Sequence, residues 1–280
     1  MIGSSDHPSF VQIIRLLACA FEVRTNSPEL FNRLPLISQR SEQDVPLVRR
    51  ETVSVIWDGS EFRITGCGAA EDFEFSALSA VESLSRRLHA RAFAALPDHV
   101  RLRAAIGTCG KTGFLVVGPG KTCLTVQLML AGYEMAGDAL VLLRCGEGLA
   151  FPQRFELREE SLGLFPELAA LKRFAGAAAS PQLSRILMLD PIDFGLRWRI
   201  APARVRAIFN IEPNYGGRTR LLACGKVETV RRILSHCAPP LSGRRDWLAE
   251  LSMTVDRAET ILIEIGDLET AAALLGERLA

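Results

Sequence analysis

Residues 102–143 read LRAAIGTCGKTGFLVVGPGKTCLTVQLMLAGYEMAGDALVLL. Apolar runs and their punctuation predict a strand over Leu102–Ile106, a polar turn over Gly107–Thr112 and a second strand over Gly113–Val117. A helix is expected from about Cys123, and a third strand around Ala139–Leu143. Between the second strand and the helix stands Gly118-Pro119-Gly120-Lys121-Thr122. A buried strand feeding a Gly-rich turn, with Gly-Lys-Thr opening a helix, is suited to holding phosphates. Backbone N–H groups and the helix N-terminus face the anion, the ammonium reaches the terminal phosphates, and the hydroxyl takes magnesium. Gly118, Gly120, Lys121 and Thr122 are therefore candidate nucleotide-binding residues. The full pattern has four residues between its first Gly and the Gly-Lys, whereas here Pro119 stands alone. A second run, Gly110-Lys111-Thr112, precedes GFLVV, a strand by composition, so it reads as a hairpin turn.

Upstream, Val11–Thr25 holds an apolar run and then the alternation of a half-buried strand. Ser27 and Pro28 form a helix start for Glu29–Leu34, and Glu51–Thr65 alternates on both sides of Asp58-Gly59, a hairpin signal. From Ser76 to Leu96 the period changes to that of a helix, whose Arg86, Arg87 and Arg91 read as a solvated face. Pro97-Asp98 is the candidate domain boundary, giving an α+β region, mostly antiparallel, over 1–97 and a larger α/β domain over 98–280.

Downstream, a helix is expected over Glu159–Phe174, and the small residues of 176–181 suit a loop or lid. Strands follow at Ile186–Leu189, Arg197–Ile200, Val205–Ile211 and Arg220–Ala223. Helices are read over Lys226–Cys237 and Trp247–Ala258, then a strand over Thr260–Glu264 and a last helix capped by Asp267. Asp190 and Asp193, in LDPIDF, read as a solvated turn with a replacement metal site as the alternative. His89, His99 and His236 lack matched ligand spacing and read as packing or surface residues.

With 48% hydrophobic residues, 23% charged residues and a net charge of +1, the composition is that of a globular protein without strong attraction to nucleic acid or membrane. No apolar run approaches the ~20 residues of a membrane span. The start of the chain lacks the pattern of a secretory signal, so a cytoplasmic protein is expected. Seven scattered cysteines without C-x-x-C pairs read as reduced thiols.

Taken with FPQRFELREESLGLFPEL, VRAIFNIEPNYGG, ILIEIGDLETAAALL and the early RTNSPEL, the opening stretch resembles the catalytic domain of HPr kinase/phosphorylase. More closely, it resembles HPr-kinase-related proteins found beside peptide-modification genes, including lasso-peptide kinases. The resemblance covers roughly residues 98–280. It implies a P-loop core of the phosphoenolpyruvate-carboxykinase type that binds ATP with Mg2+ and moves a phosphoryl group to a serine of a peptide or protein. Lys121 then matches the P-loop lysine and Thr122 the magnesium ligand. Asp138 matches the first of an acidic pair that handles the metal or takes the proton of the attacking hydroxyl, and Arg154 an arginine that reaches phosphate.

The chain also departs from that pattern. Arg103 stands where relatives have histidine, Ala139 where they have the second acid, and the loop is three residues short. One residue that remains in it, Pro119, has no N–H to donate. Two readings follow: an active ATP-dependent serine kinase, or a degenerate pseudokinase that binds or presents a peptide or protein. A homo-oligomer is compatible with either.

Overall fold

The computed structural model describes residues 8–37, 41–170 and 186–279. They form two compact units: 8–37 with 45–97, and 41–44 with 98–170 and 186–279. Both strands and helices occur throughout, and the class is mixed α/β.

In the first unit, β1 (Phe10–Leu16) turns through Leu17, at a φ of 55°, into β2 (Cys19–Thr25), its antiparallel partner from Phe10↔Thr25 to Leu16↔Cys19. The N–H of Leu30 donates to Ser27 Oγ at 3.2 Å, and Pro28 opens α1 (Pro28–Arg33), so the sequence's start signal is used. The two-residue β3 (Glu42–Gln43) belongs to the second unit. Next, β4 (Arg49–Trp57) and β5 (Phe62–Gly66) form the hairpin expected at Asp58-Gly59, and β6 (Asp72–Glu74) ends a sheet of order β1-β2-β4-β5-β6. Gly59 sits at a φ of 107°, open to glycine. One pair departs from the antiparallel expectation. β4 lies parallel to β2, because the chain returns through α1 before adding it.

Helix α2 (Ala77–Ala94) is capped by Ser76 and buries Ala80, Leu84, Leu88 and Ala92. Of the three arginines expected on a solvated face, Arg86 is exposed, whereas Arg87 and Arg91 are engaged by the protein. Arg87 is 7% exposed and donates to Asp72 at 2.7 Å and to the Gly66 carbonyl at 3.0 Å, while Arg91 grips Glu51 at 2.7 and 3.1 Å. The long stems cover apolar surface while the heads find acceptors. On the same helix, burial pushes the His89 imidazole down to about 4. The unfolded chain binds that proton near its ordinary value, so stability is complete near neutrality and declines as pH falls towards 4. The expected loss is at most about 3 kcal/mol. Denaturant melts of His89→Gln should lack that acid dependence.

The second unit carries β7 (Val100–Leu102), β8 (Ala105–Cys109), β9 (Thr112–Val117), α3 (Lys121–Leu130), β10 (Met135–Gly137), β11 (Val141–Arg144) and β12 (Glu147–Ala150). After it come β13 (Phe155–Arg158), β14 (Ile186–Leu189), β15 (Arg199–Ile200), β16 (Ala203–Pro213), β17 (Arg220–Ala223) and α4 (Lys226–Leu234). The chain closes with β18 (Cys237–Ala238), α5 (Trp247–Arg257), β19 (Glu259–Ile265) and α6 (Leu268–Leu279). The main sheet runs β10-β8-β9-β16-β12-β11-β7-β18, and β19 joins β16 to β17. Three strands at its heart, β9, β16 and β19, are parallel. Small pairs β13–β14 and β15–β3 lie outside that sheet.

Several local expectations change. The run read as one strand over Leu102–Ile106 is two, β7 and β8. The break falls where the Arg103 N–H donates to the His236 carbonyl and the chain leaves its β11 partner for β9. The strand read at Ala139–Leu143 begins only at Val141, as β11, and a further strand, β10, precedes it, with Asp138–Leu140 between them. Of the helix read over Glu159–Phe174, the described part forms two 3-10 turns, Glu159–Leu164 and Pro166–Ala170, divided where Pro166 cannot continue the hydrogen-bond ladder, and 171–174 lie outside the described residues. The expected lid over 176–181 lies outside the described residues. In the core, Phe114 meets Phe209 edge to face at 6.0 Å. Only glycine fits at Gly107, where a Cβ would lie 2.2 Å from Phe114 Cζ.

Candidate functional site

Strand β9 is buried from Gly113 to Val117 and delivers the loop Gly118–Gly120 to the start of α3. The loop lies at the carboxyl ends of parallel β9 and β16, where open α/β sheets place ligands. Gly118 has a φ of 120° and hugs β16 so closely that a Cβ would lie 3.0 Å from the Ile211 carbonyl. Gly120, at a φ of 80°, forms the left-handed N-cap of α3. No side chain caps this helix, so its first N–H groups face outward without a built-in acceptor. The second Gly-Lys-Thr run is the β8–β9 hairpin turn, with Gly110 at a φ of 63°.

Lys121 and Thr122 occupy the first turn of α3, both half-buried. Asp138 follows β10 and is 3% exposed. Burial pushes its carboxyl above the usual carboxylate range, opposed by the nearby Thr122 hydroxyl and by the Lys121 charge. Three residues singled out from sequence thus converge. Arg154 does not join them through a free guanidinium: its Nε lies 3.2 Å from Asp190 Oδ1. Asp190 and Asp193 form the reciprocal cap of a 3-10 turn, in which the Asp190 N–H donates to Asp193 Oδ2 at 2.8 Å. Among the described residues, no three or more His, Cys, Asp or Glu side chains cluster as a metal site.

Two neighbours escaped the sequence reading. The charge of Glu156, on β13, also pushes the Asp138 carboxyl upward, so a second carboxylate lies near the first despite Ala139. The alternation of FELR, buried at Phe155 and Leu157 and exposed at Glu156 and Arg158, was a signal for its outward direction but not for its neighbour. Tyr215, in the turn after β16, holds its hydroxyl 3.6 Å from where a Gly120 Cβ would stand. A cavity of about 170 Å³ opens beside the loop, with Gly118, Pro119, Asn210, Arg232 and His236 among its walls. That volume suits a phosphate group better than a whole nucleotide.

The donor set fits phosphates and a magnesium ion in kind. A bare helix start and a lysine face the anion side, and a hydroxyl and one carboxylate stand where such an ion needs one or two protein oxygens beside phosphate and water. Compared against known protein families and against curated proteins, the chain matches none.

Proposed function

We propose that the second unit binds ATP with magnesium at residues 118–122 and transfers the terminal phosphoryl group to a serine hydroxyl of a peptide or protein, as an HPr-kinase-related protein. The observation that carries this is the buried Asp138 carboxyl placed beside the Thr122 hydroxyl and the Lys121 charge at the mouth of α3. Lys121 and the first N–H groups of α3 would bind the β- and γ-phosphates, and Thr122 and Asp138 would hold the metal. Bound magnesium supplies neutralisation of the charge that develops on the phosphates. Asp138 is also suited to receive the proton of the serine hydroxyl, since burial raises its affinity for a proton.

A second reading, a pseudokinase that keeps the fold as a peptide- or protein-binding scaffold, draws support from specific features. Pro119 removes a donor, Arg154 is engaged by Asp190, and the cavity at the loop is small. Calorimetric titration with ATP and magnesium separates the readings. Binding should weaken roughly 10–100-fold in Lys121→Ala, the equivalent of one charge-assisted hydrogen bond. Transfer of labelled γ-phosphate to serine peptides then identifies the kinase; binding without transfer identifies the scaffold. No heat at millimolar ATP would remove the nucleotide from both.

A further inference from the structure

We propose that the outer face of the first unit's sheet binds a free apolar α-amino acid, with its carboxylate on Arg50, its ammonium on Glu22 and its side chain against Ile13 and Leu47. A cavity of about 330 Å³ opens there, within the usual range for small ligands of about 300–1,000 Å³. The strand registers make the hollow. Arg15, Ala20 and Arg50 lie in one row across β1, β2 and β4, so a methyl group stands between two long side chains. Ile13, Glu22 and Thr52 form the next row. All six line the cavity, as does Leu47 from the segment before β4. Their alternates Ile14, Phe21 and Val53 are buried on the opposite face.

This face carries opposite charges that do not meet. Glu22 and Arg50 are diagonal neighbours on adjacent strands, within reach of each other's long side chains. Yet Glu22 turns instead to Arg24, through Oε1 at 2.5 Å, and the exposed Arg50 has no partner among the described residues. The other charges of the walls are committed: Arg15 donates to the Val45 carbonyl, and Glu51 holds Arg91 at 2.7 Å. What remains for a ligand is one guanidinium, the second oxygen of one carboxylate, and aliphatic surface, Ile13 at 69% and Leu47 at 38% exposed. That set selects the ligand's chemistry. An apolar carboxylate alone would leave Glu22 facing it unanswered, and an apolar amine alone would do the same for Arg50. A zwitterion with an aliphatic side chain answers all three. The ligand is small and the site open, so a Kd of about 0.1–1 mM is expected. Nothing in this depends on phosphoryl transfer.

Calorimetric titration of the full chain with L-leucine should show binding in that range. Leucinamide lacks the carboxylate and N-acetyl-leucine the ammonium, and each should bind at least about 10-fold more weakly, the worth of one charge-assisted hydrogen bond. Glycine, which has no side chain to seat on Ile13 and Leu47, should give no heat. Arg50→Gln should weaken leucine binding by about 10-fold or more, and at an exposed position its thermal melt should match the parent's. Ala20→Leu should abolish binding by filling the hollow. No heat up to about 10 mM leucine, well above the expected range, or equal leucine affinity in parent and Arg50→Gln, would overturn the site. N-acetyl-leucine binding as tightly as leucine would overturn the free amino acid in favour of the last residue of a peptide.

Discussion

Asp138→Asn should slow phosphoryl transfer by about 10²–10⁴-fold, the usual worth of a positioned proton acceptor, while leaving the protein at least as stable as its parent. The two effects share a cause. Asp138 is nearly inaccessible, and burial raises its pKa above that of the unfolded chain. The native state therefore holds the proton more tightly than the unfolded state does. The contribution of Asp138 to stability is greatest at low pH and is lost as pH rises through the folded value, where a charge must be kept in a poor solvent. Asparagine has the same shape and keeps a carbonyl oxygen beside the Thr122 hydroxyl, but it carries no charge to desolvate. Thermal melts between pH 4 and 8 should show the parent losing stability relative to Asp138→Asn as pH rises. Magnesium with ATP should recover more stability in the parent than in the variant, because a cation bound to the carboxylate opposes its protonation. A variant as active as the parent would remove Asp138 from the chemistry; a variant that unfolds would remove the separation of stability from function argued here. Such a trade is expected at sites kept for chemistry rather than for folding.

What the sequence disclosed and what it hid divide along chain distance. The strand–loop–helix of 113–130 was legible because its signals are local: a buried apolar run, glycines at positive φ and a lysine at the first helical position. The start of α1 and the β4–β5 hairpin were legible for the same reason, since Ser27, Pro28 and Gly59 act on their immediate neighbours. Asp138 was found through the resemblance, and it lies between β10 and β11, just ahead of the strand expected at Ala139–Leu143. Glu156 and Tyr215 were missed because packing, not spacing, brings β13 and the turn after β16 to the loop. Arg87 was misread for a related reason: its acceptors, Gly66 and Asp72, lie on two separate strands, β5 and β6. The parallel register of β2 with β4 depends on which strand the returning chain chooses, a decision that side-chain alternation alone does not encode.

Trp198→Ala should destabilise the second unit by about 3–5 kcal/mol, the largest single-residue effect expected in the chain, and should disturb the site as it does so. The indole is 1% exposed and lies 6.1 Å, centroid to centroid, from Phe155 on β13. Its Nε1–H donates to the Ala136 carbonyl of β10 at 2.9 Å. Among the described residues β10 ends the sheet and pairs with β8 only, through Met135 and Gly137, so the carbonyl between them finds its donor in the tryptophan. One residue beyond β10 is Asp138, and one beyond Phe155 is Glu156. The same ring thus braces both strands that bring carboxylates together. Trp198→Phe separates the two duties: it keeps much of the packing but leaves the buried carbonyl unpaired, at a cost of about 1–3 kcal/mol. Urea denaturation should rank parent, Phe and Ala in that order. If the indole positions the site, the Phe variant, still folded, should also bind ATP with magnesium more weakly than the parent; equal affinity would confine Trp198 to the core. Weaker binding in the folded Phe variant would tie the placement of Asp138 to that one hydrogen bond on the edge of the sheet.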